Sequence, residues 1–378
     1  LREAVDFLRY YAARAEERAG DSAPRGTFVC ISPWNFPVNL TFTPLAGILS
    51  AGNRCMIKPS EYTPATSAAM AIAFAEAFDE EEIAVVTGGP QTGSDFSGLA
   101  FDHLLFTGAT SVAKHVMRAA SANLVPVTLE LGGKSPVIIS SKAEMDSTTD
   151  ALMAGKMLNA GQVCIAPDYV MLPEHKLDEA VSIAKDVVAK MYPTLLANEQ
   201  YTATVNERHY ERMQRNLADA NERGIQTISI NPANEDFSVN PTHKVAPTLI
   251  VNPDDDALCM TDEIFGPLLP LKTYTQFEDT ISYINAHPRP LAAYYFGKHD
   301  AEEHRFLTGT TSGGACVNDV MFHMLQKDLP FGGVGPSGMG AYHGIEGFKT
   351  FSHAKSVYKQ PGKIPVTKLA GFMPPYGD

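Results

Sequence analysis

From Thr27 onward the chain alternates short apolar runs with helical stretches, and each run stops at a glycine or a proline. Thr27-Phe-Val-Cys-Ile-Ser32 reads as a buried strand broken at Pro33, and residues 42–51 as a helix stopped by Gly52. Arg54-Cys-Met-Ile-Lys58 is a second strand, stopped by Pro59. Thr63-Pro64 opens a helix that runs to Phe78, with a cap residue and a first-turn proline. Further strands are expected over 83–87, 103–107 and 125–131, with a helix over 111–120. Parallel strands need long crossovers, which are usually helices, so this alternation predicts a parallel sheet with helices on both faces. In such sheets a ligand binds at the carboxyl ends of the strands. Pro33, Trp34, Asn35, Lys58, Gly88, Gly108 and Glu130 all fall at or just past strand ends, which predicts one shared cleft.

A second alternating region runs over about 146–317. Its helices are expected near 146–158, 175–191, 208–223 and 276–286, and its strands near 168–173, 225–230, 291–296 and 313–317. Ahead of Thr27, apolar residues at Leu1, Val5, Leu8, Tyr11 and Ala15 have helical spacing, and Gly20 ends the pattern. Beyond Phe331 the chain is glycine-rich, becomes extended around Ser356-Val-Tyr-Lys359 and ends in Pro374-Pro-Tyr-Gly-Asp378, which reads as an arm. A chain of 378 residues is long for one hydrophobic core, so an α/β molecule with at least two lobes is expected.

A formal net charge of -13 argues against nucleic acid and anionic membrane surfaces as partners. No apolar run is long enough to span a bilayer, and no signal-peptide pattern follows Leu1. The five cysteines are odd in number and scattered without a C-x-x-C pair, which argues against a disulfide framework or a zinc site. A reducing cytoplasm is the expected setting. The histidines show no metal-binding spacing, so no metal is expected. Cys30, Cys55, Cys259 and Cys316 read as small apolar residues inside strands.

Cys164 differs. It lies in Asn159-Ala-Gly-Gln-Val-Cys-Ile-Ala-Pro167, whose glycine and proline favour an exposed loop. A thiol attacks only as thiolate, so the loop leaves two readings open, a nucleophile or inert filler. Glu130 is flanked by Leu129 and Leu131. Desolvation there would raise its pKa toward that of a general base; the other reading is an edge-strand glutamate facing water, neutralised by Lys134. Asn35 could donate to an oxyanion or close an Asx turn. Lys58 and Glu61 could meet phosphate and ribose hydroxyls or be two solvated charges. Phe106-Thr-Gly-Ala-Thr110 offers free helix N–H groups to a pyrophosphate, although Ala113 stands where a G-x-G-x-x-G pattern would need another glycine. Glu263-Ile-Phe-Gly-Pro267 supplies a carboxylate and a ring, either a clamp for a ribose and a flat ring or core and turn. Tyr169, Met321, Phe322 and Met324 could line an apolar substrate tunnel or pack in the core.

Taken together, these stretches resemble the aldehyde dehydrogenase superfamily. Pro33-Trp-Asn-Phe-Pro37, Ile57-Lys-Pro-Ser-Glu61, Phe106-Thr-Gly108, Glu130-Leu-Gly-Gly-Lys-Ser-Pro136, Gly161-Gln-Val-Cys164, Glu263-Ile-Phe-Gly-Pro267 and Pro330-Phe-Gly-Gly333 stand in the family's order, with its spacing of 164 − 130 = 34 between cysteine and glutamate. The likeness covers about residue 27 to the end. Gln162-Val-Cys-Ile-Ala-Pro-Asp-Tyr169, Gly335-Pro-Ser-Gly-Met-Gly-Ala-Tyr-His-Gly344 and Phe351-Ser-His353 look like its class 3 branch. The first helix looks instead like the dehydrogenase module of the bifunctional proline-utilisation enzyme.

The resemblance implies a function and roles. An aldehyde, aromatic (coniferyl aldehyde, for example) or aliphatic, would be oxidised to its acid through a cysteine thiohemiacetal and thioester. Cys164 would attack, Asn35 and the Cys164 N–H would hold the oxyanion, and Glu130 would activate the hydrolytic water. NAD, with NADP possible, would lie on Ser32, Pro33, Trp34, Lys58, Glu61, Gly108, Ala109, Thr110, Ala113, Leu131, Gly132, Glu263 and Phe265. Glu61 favours NAD, because a carboxylate there would repel a 2′-phosphate. The implied organisation is a Rossmann-like NAD(P)-binding domain over 1–132, N-terminally incomplete, a catalytic α/β domain over 133–333, and an arm over 334–378 that completes the cofactor domain and makes oligomer contacts. A homodimer or homotetramer is expected. Three departures are a missing N-terminal part, Ala109 where many members carry serine, and a short 20–26 segment in place of linking strands. Two alternative readings are a glutamate-semialdehyde dehydrogenase of proline catabolism and a truncated, catalytically silent binding protein.

Overall fold

The computed structural model describes residues 2–19, 22–240 and 242–360. The expected single first helix is two, α1 (Arg2–Ala12) and α2 (Ala15–Ala19). The break lets Arg18 fold back, so that its guanidinium donates to the Tyr10 hydroxyl at 2.6 Å and to the Gly344 carbonyl at 3.2 Å. Tyr11 donates to the same carbonyl. The first helix is thereby tied to the far end of the chain. Next come β1 (Ser22–Pro24), β2 (Thr27–Ile31), α3 (Asn39–Ser50), β3 (Arg54–Lys58), α4 (Pro64–Ala77), β4 (Ile83–Val85), α5 (Pro90–Ser97), β5 (His103–Thr107), α6 (Thr110–Ala120) and β6 (Val127–Glu130).

The second half holds β7 (Pro136–Ile139), α7 (Met145–Met157), β8 (Tyr169–Pro173), α8 (Leu177–Met191), α9 (Glu207–Glu222), β9 (Gln226–Ser229), β10 (Thr248–Val251), β11 (Leu268–Tyr274), β12 (Ala292–Phe296), β13 (Gly314–Val317), β14 (Gly338–Met339) and β15 (Ser352–Ala354). Short helices also lie at Leu258–Thr261, Phe277–Ala286 and Asp300–Gly309. Cys259 therefore sits in a helix, not the expected strand.

Two sheets organise the described residues. One has the order β14-β6-β5-β2-β3-β4 and is parallel except at β14, and the other has the order β13-β12-β7-β8-β11-β10-β9 and is parallel except at β9. This is the expected α/β class with parallel sheets. The chain passes from the first to the second within five residues, Leu131-Gly-Gly-Lys-Ser135. In the first sheet it runs from β2 outward through β3 and β4, then returns to the other side of β2 for β5 and β6. That reversal opens a crevice between the carboxyl ends of β2 and β5. Both faces of the sheet are covered, as parallel sheets require. Phe28 and Cys30 pack toward Leu45 and Ile48 of α3. Val29, Ile31, Leu104 and Phe106 pack toward Ala113, Val116 and Ala120 of α6.

The expectation missed β7, β10, β11, the short strands β1, β14 and β15, and five helices, at Pro90–Ser97, Leu258–Thr261, Asp300–Gly309, Phe322–Leu325 and Gly344–Thr350. Pro270 hides β11, since proline normally marks a strand edge. It is tolerated because the β8 ladder begins only at Leu271, leaving β10 as the partner at position 270. The segment after Gly20 forms β1, which pairs antiparallel with β15. Residues 355–360, expected to be extended, carry no regular structure. The expected terminal arm at 374–378 lies outside the described residues.

Candidate active site

The ends of β2, β5 and β6, adjacent in the sheet, open onto a cleft of about 790 Å³ that faces the second sheet. Of the residues expected to carry function, Pro33, Trp34, Asn35, Gly108, Ala109, Thr110, Glu130, Leu131, Gly132, Cys164, Glu263 and Phe265 line it. Four do not. Ser32 is buried and accepts a hydrogen bond from Thr41, and Ala113 is on the buried face of α6, packed toward the sheet. Lys58 is buried and paired with Glu61 at 2.6 Å, so this pair is neither two solvated charges nor part of the wall. Of the residues proposed for an apolar tunnel, Tyr169 lines the cleft, whereas Met321, Phe322 and Met324 do not.

Cys164 follows a tight turn. Asn159, Ala160 and Gly161 have φ values of 50, 51 and 75°, a run of left-handed conformations that costs L residues energy and that glycine alone adopts freely. A Cβ at Gly161 would stand 2.2 Å from the Gly266 carbonyl oxygen, so the cysteine turn lies directly on the 263–267 loop. Asn35 locks the turn from the other side. Its Nδ2 donates to the Gln162 carbonyl at 3.1 Å, while Asn159 Nδ2 donates to the Asn35 carbonyl at 3.1 Å. A primary amide has two N–H bonds, so Asn35 keeps a second donor. Its side chain bridges two loops and makes no Asx turn. Gln162 extends the lock, donating to the Asn159 and Ala203 carbonyls and accepting from the Val205 N–H.

The charges around the thiol are acidic. Burial first, then the Glu263 and Glu130 carboxylates, push the Cys164 thiol up to about 12. Glu130 is buried, and neither of its carboxylate oxygens has a hydrogen-bond partner among the described residues. Burial alone holds its proton affinity well above the usual carboxylate range. It is no edge residue facing water, because β14 covers that side of β6 with Gly338 opposite Glu130. Lys134 does not neutralise it; Lys134 pairs with Asp168 and donates to the Cys259 carbonyl at 2.8 Å and the Asp262 carbonyl at 3.0 Å.

Glu263 leans on the glycine pair. A Cβ on Gly132 would stand 2.3 Å from its Oε1, and the Gly133 N–H donates to its carboxylate. Burial and the nearby Asp168 raise its pKa to about 8 against the pull of Arg212 and Lys134. The backbone of its loop is held by Arg212, which donates to the Glu263 carbonyl at 2.7 Å, and by Asp168, which accepts from the Ile264 N–H at 2.9 Å. Phe265 (φ 47°) meets the edge of Trp34 at 5.4 Å between centroids, and His209 meets Trp34 at 5.0 Å. Beneath the cysteine loop, Lys156 is fully buried and donates to the Pro167 carbonyl at 2.9 Å.

The supports that sequence reading missed are Lys134, Asp168, Arg212, His209 and Lys156. Lys134 and Asp168 stand inside strings already singled out for Glu130 and Cys164. Arg212 and His209 lie on α9, far from any motif, and nothing in the sequence marks them.

The model of the aldehyde dehydrogenase family matches residues 1–357. The chain belongs to that family. A probable coniferyl aldehyde dehydrogenase of Caulobacter vibrioides is 57% identical over 355 residues, 94% of this chain and 73% of that protein. Aldehyde dehydrogenase family 3 member A2 of Rattus norvegicus is 38% identical over 333 residues, 88% of this chain and 67% of that protein. The structure also superposes on the Mycobacterium tuberculosis aldehyde dehydrogenase complexed with NAD+, with a TM-score of 0.85 and 26% identity over 96% of this chain and 78% of that one. As a family member the chain is an oxidoreductase acting on aldehydes, and its likeness to the family 3 protein agrees with the class 3 motifs.

Proposed function

We propose that this aldehyde dehydrogenase oxidises an aromatic aldehyde of the coniferyl type to its carboxylic acid, with NAD or NADP as acceptor, through a thioester on Cys164. The observation that carries this reading is the convergence of Cys164, Asn35 and the unpartnered Glu130 on one cleft. The aromatic preference rests on the 57% identical coniferyl aldehyde dehydrogenase of Caulobacter.

The cleft suits a dinucleotide on its own geometry. The first turn of α6 opens on it behind Gly108, with Ala109, Thr110 and Ser111 in the wall, and such turns present free N–H groups to phosphate. Trp34 and Phe265 supply flat apolar surface beside Glu263. Gly108 to Thr110 would hold the phosphates, and Glu263 with Phe265 the nicotinamide end. Once bound, the cofactor supplies a two-electron acceptor for hydride from the substrate carbon.

The remaining steps belong to the chain. The Cys164 thiol gives up its proton, and its sulfur forms a bond to the aldehyde carbon. With a pKa near 12 the thiol is protonated at neutral pH in this arrangement, so a base must take that proton or the site must change when ligand enters. The spare N–H of Asn35 meets the oxyanion as it develops. After hydride departs, the acyl group is a thioester. Glu130 takes a proton from water, whose oxygen bonds to the acyl carbon as the C–S bond breaks, releasing the acid and restoring the thiol. Its raised proton affinity makes Glu130 a stronger base once ionised, and that ionisation requires water or ligand to enter the cleft and relieve its burial.

Residues 1–132, 133–333 and 334–378 serve in this reading as cofactor domain, catalytic domain and arm. A homodimer or homotetramer accompanies it, to be checked by light scattering. The five free cysteines support a reducing, cytoplasmic setting. The semialdehyde reading would need a cation free to meet a second carboxylate beside Cys164; Lys134 and Arg212 are both engaged, and the third cation of the cleft, Arg289, lies against Gly335 and not on the cysteine loop. The test mixes protein, NAD or NADP, and coniferyl, cinnamyl and aliphatic aldehydes, and follows absorbance of the reduced cofactor. Fastest turnover on the aromatic aldehydes is expected. No reduction with any of them by folded protein would overturn the reading and favour a silent binding protein.

A further inference from the structure

Three lysine or arginine side chains line the cleft: Lys134, Arg212 and Arg289. The first two are saturated. Lys134 is paired with Asp168 and bonded to two carbonyls, and Arg212 is bonded to the backbone of the 263–265 loop. Their charge is committed to the wall. Arg289 is different, since among the described residues its guanidinium has no hydrogen bond and no ion pair. It is exposed, on the loop after the Phe277–Ala286 helix, in His287-Pro-Arg-Pro290. Prolines on both sides fix φ at positions 288 and 290, so the loop that carries it is stiff.

Its neighbours give it a direction. The guanidinium lies against Gly335, where a Cβ would stand 2.7 Å from one of its nitrogens. The next residue, Pro336, accepts a hydrogen bond at 3.1 Å from the Thr110 hydroxyl in the first turn of α6. Arg289 and Pro336 also share a smaller side pocket of about 270 Å³. The C-terminal segment thus sits between a free arginine from the second half and the helix N-terminus of the first. An unpaired guanidinium on one wall and an eleven-residue helix opening on the same cleft make a two-sided cradle for an anion. Four carboxylates line the same cleft at Glu130, Asp255, Asp262 and Glu263. In a chain of net charge -13, an anionic ligand needs local positive charge to enter.

We infer that Arg289 is a cofactor-binding residue, which closes on the pyrophosphate of the dinucleotide from the side opposite α6. The inference rests on the dinucleotide reading above and names a contact that reading does not contain. Arg289 touches no reacting atom, so it acts on affinity and leaves the chemistry alone.

The test uses the full chain and its only tryptophan, Trp34, which lines the cleft and reports occupancy by fluorescence. Wild type, Arg289→Met and Arg289→Lys are titrated with NAD, NADP, ADP-ribose and adenosine at two salt concentrations. A charge-assisted hydrogen bond predicts that Arg289→Met weakens NAD and ADP-ribose roughly tenfold to a hundredfold, with adenosine unchanged. Arg289→Lys should recover part of the loss, and the salt dependence of binding should flatten in the methionine variant. The melting temperature without cofactor should stay at the wild-type value. Unchanged NAD affinity in Arg289→Met overturns the inference, as does an equal loss for adenosine. A much larger loss for NADP than for NAD would place the guanidinium on the 2′-phosphate and overturn the pyrophosphate contact. Wild-type protein that binds none of the four overturns the dinucleotide reading itself, and this inference with it.

Discussion

The Glu130 carboxyl is buried with both oxygens unpartnered, so replacing it should stabilise the protein in a way that depends on pH. Burial raises its proton affinity in the folded state, while in the unfolded chain it titrates near an ordinary glutamate value of about 4.3. Stability associated with the protonated group is then fully present below that value. It is lost as pH rises, by about 1.4 kcal/mol per pH unit, until the folded carboxyl itself ionises. Glu130→Gln copies the shape of the neutral carboxyl and cannot ionise. The two proteins should therefore melt together near pH 4 and diverge above it, with the variant the more stable. For a chain this long, 1 kcal/mol moves the melting temperature by about 1–2 °C, so the gap should widen by about 2 °C per pH unit. Calorimetric melts at pH 5, 6 and 7 with one scan rate measure it. A constant gap, or one that narrows with rising pH, would refute the idea that Glu130 is held protonated by burial.

Other consequences follow from the same geometry. Asn35→Ala removes the spare amide donor and should lower kcat about a hundredfold to a thousandfold with little change in NAD affinity, checked by steady-state kinetics. Alkylation of Cys164 by iodoacetamide without cofactor should be slow at pH 7 and climb about tenfold per pH unit toward pH 10, because its thiol sits near 12; Glu263→Gln should speed it, since the Glu263 carboxylate is the largest electrostatic cause after burial. Gly161→Ala should destabilise by at least about 1–3 kcal/mol in denaturant melts, because its Cβ would meet the Gly266 carbonyl and its φ is left-handed.

Much of the site was legible because chemistry and topology marked the same residues. Asn35, Gly108 and Glu130 follow strands whose apolar runs stop abruptly, and the parallel sheet sets those ends side by side. Cys164 stood out by its loop, and Glu130 by its leucine neighbours. The residues that support them were not legible. Arg212 acts on backbone carbonyls, which any polar helix face could approach, so no local pattern announces it. Lys58 and Glu61 looked solvated because sequence spacing carries no burial, and the structure sinks the lysine against its neighbour. Beyond the break between α1 and α2, Arg18 bonds the Gly344 carbonyl, more than three hundred residues away. Pro270 argued against a strand that only the register of β8 could permit.

Glu130→Gln also offers the most direct test of the catalytic account. The variant is mixed with NAD and coniferyl aldehyde, and reduced cofactor and protein mass are followed together. The account predicts a burst of at most one equivalent of reduced cofactor per Cys164, then no turnover, with the acyl group found by peptide mass on Cys164. Wild-type turnover in the variant, or an acyl group on any other residue, would contradict it.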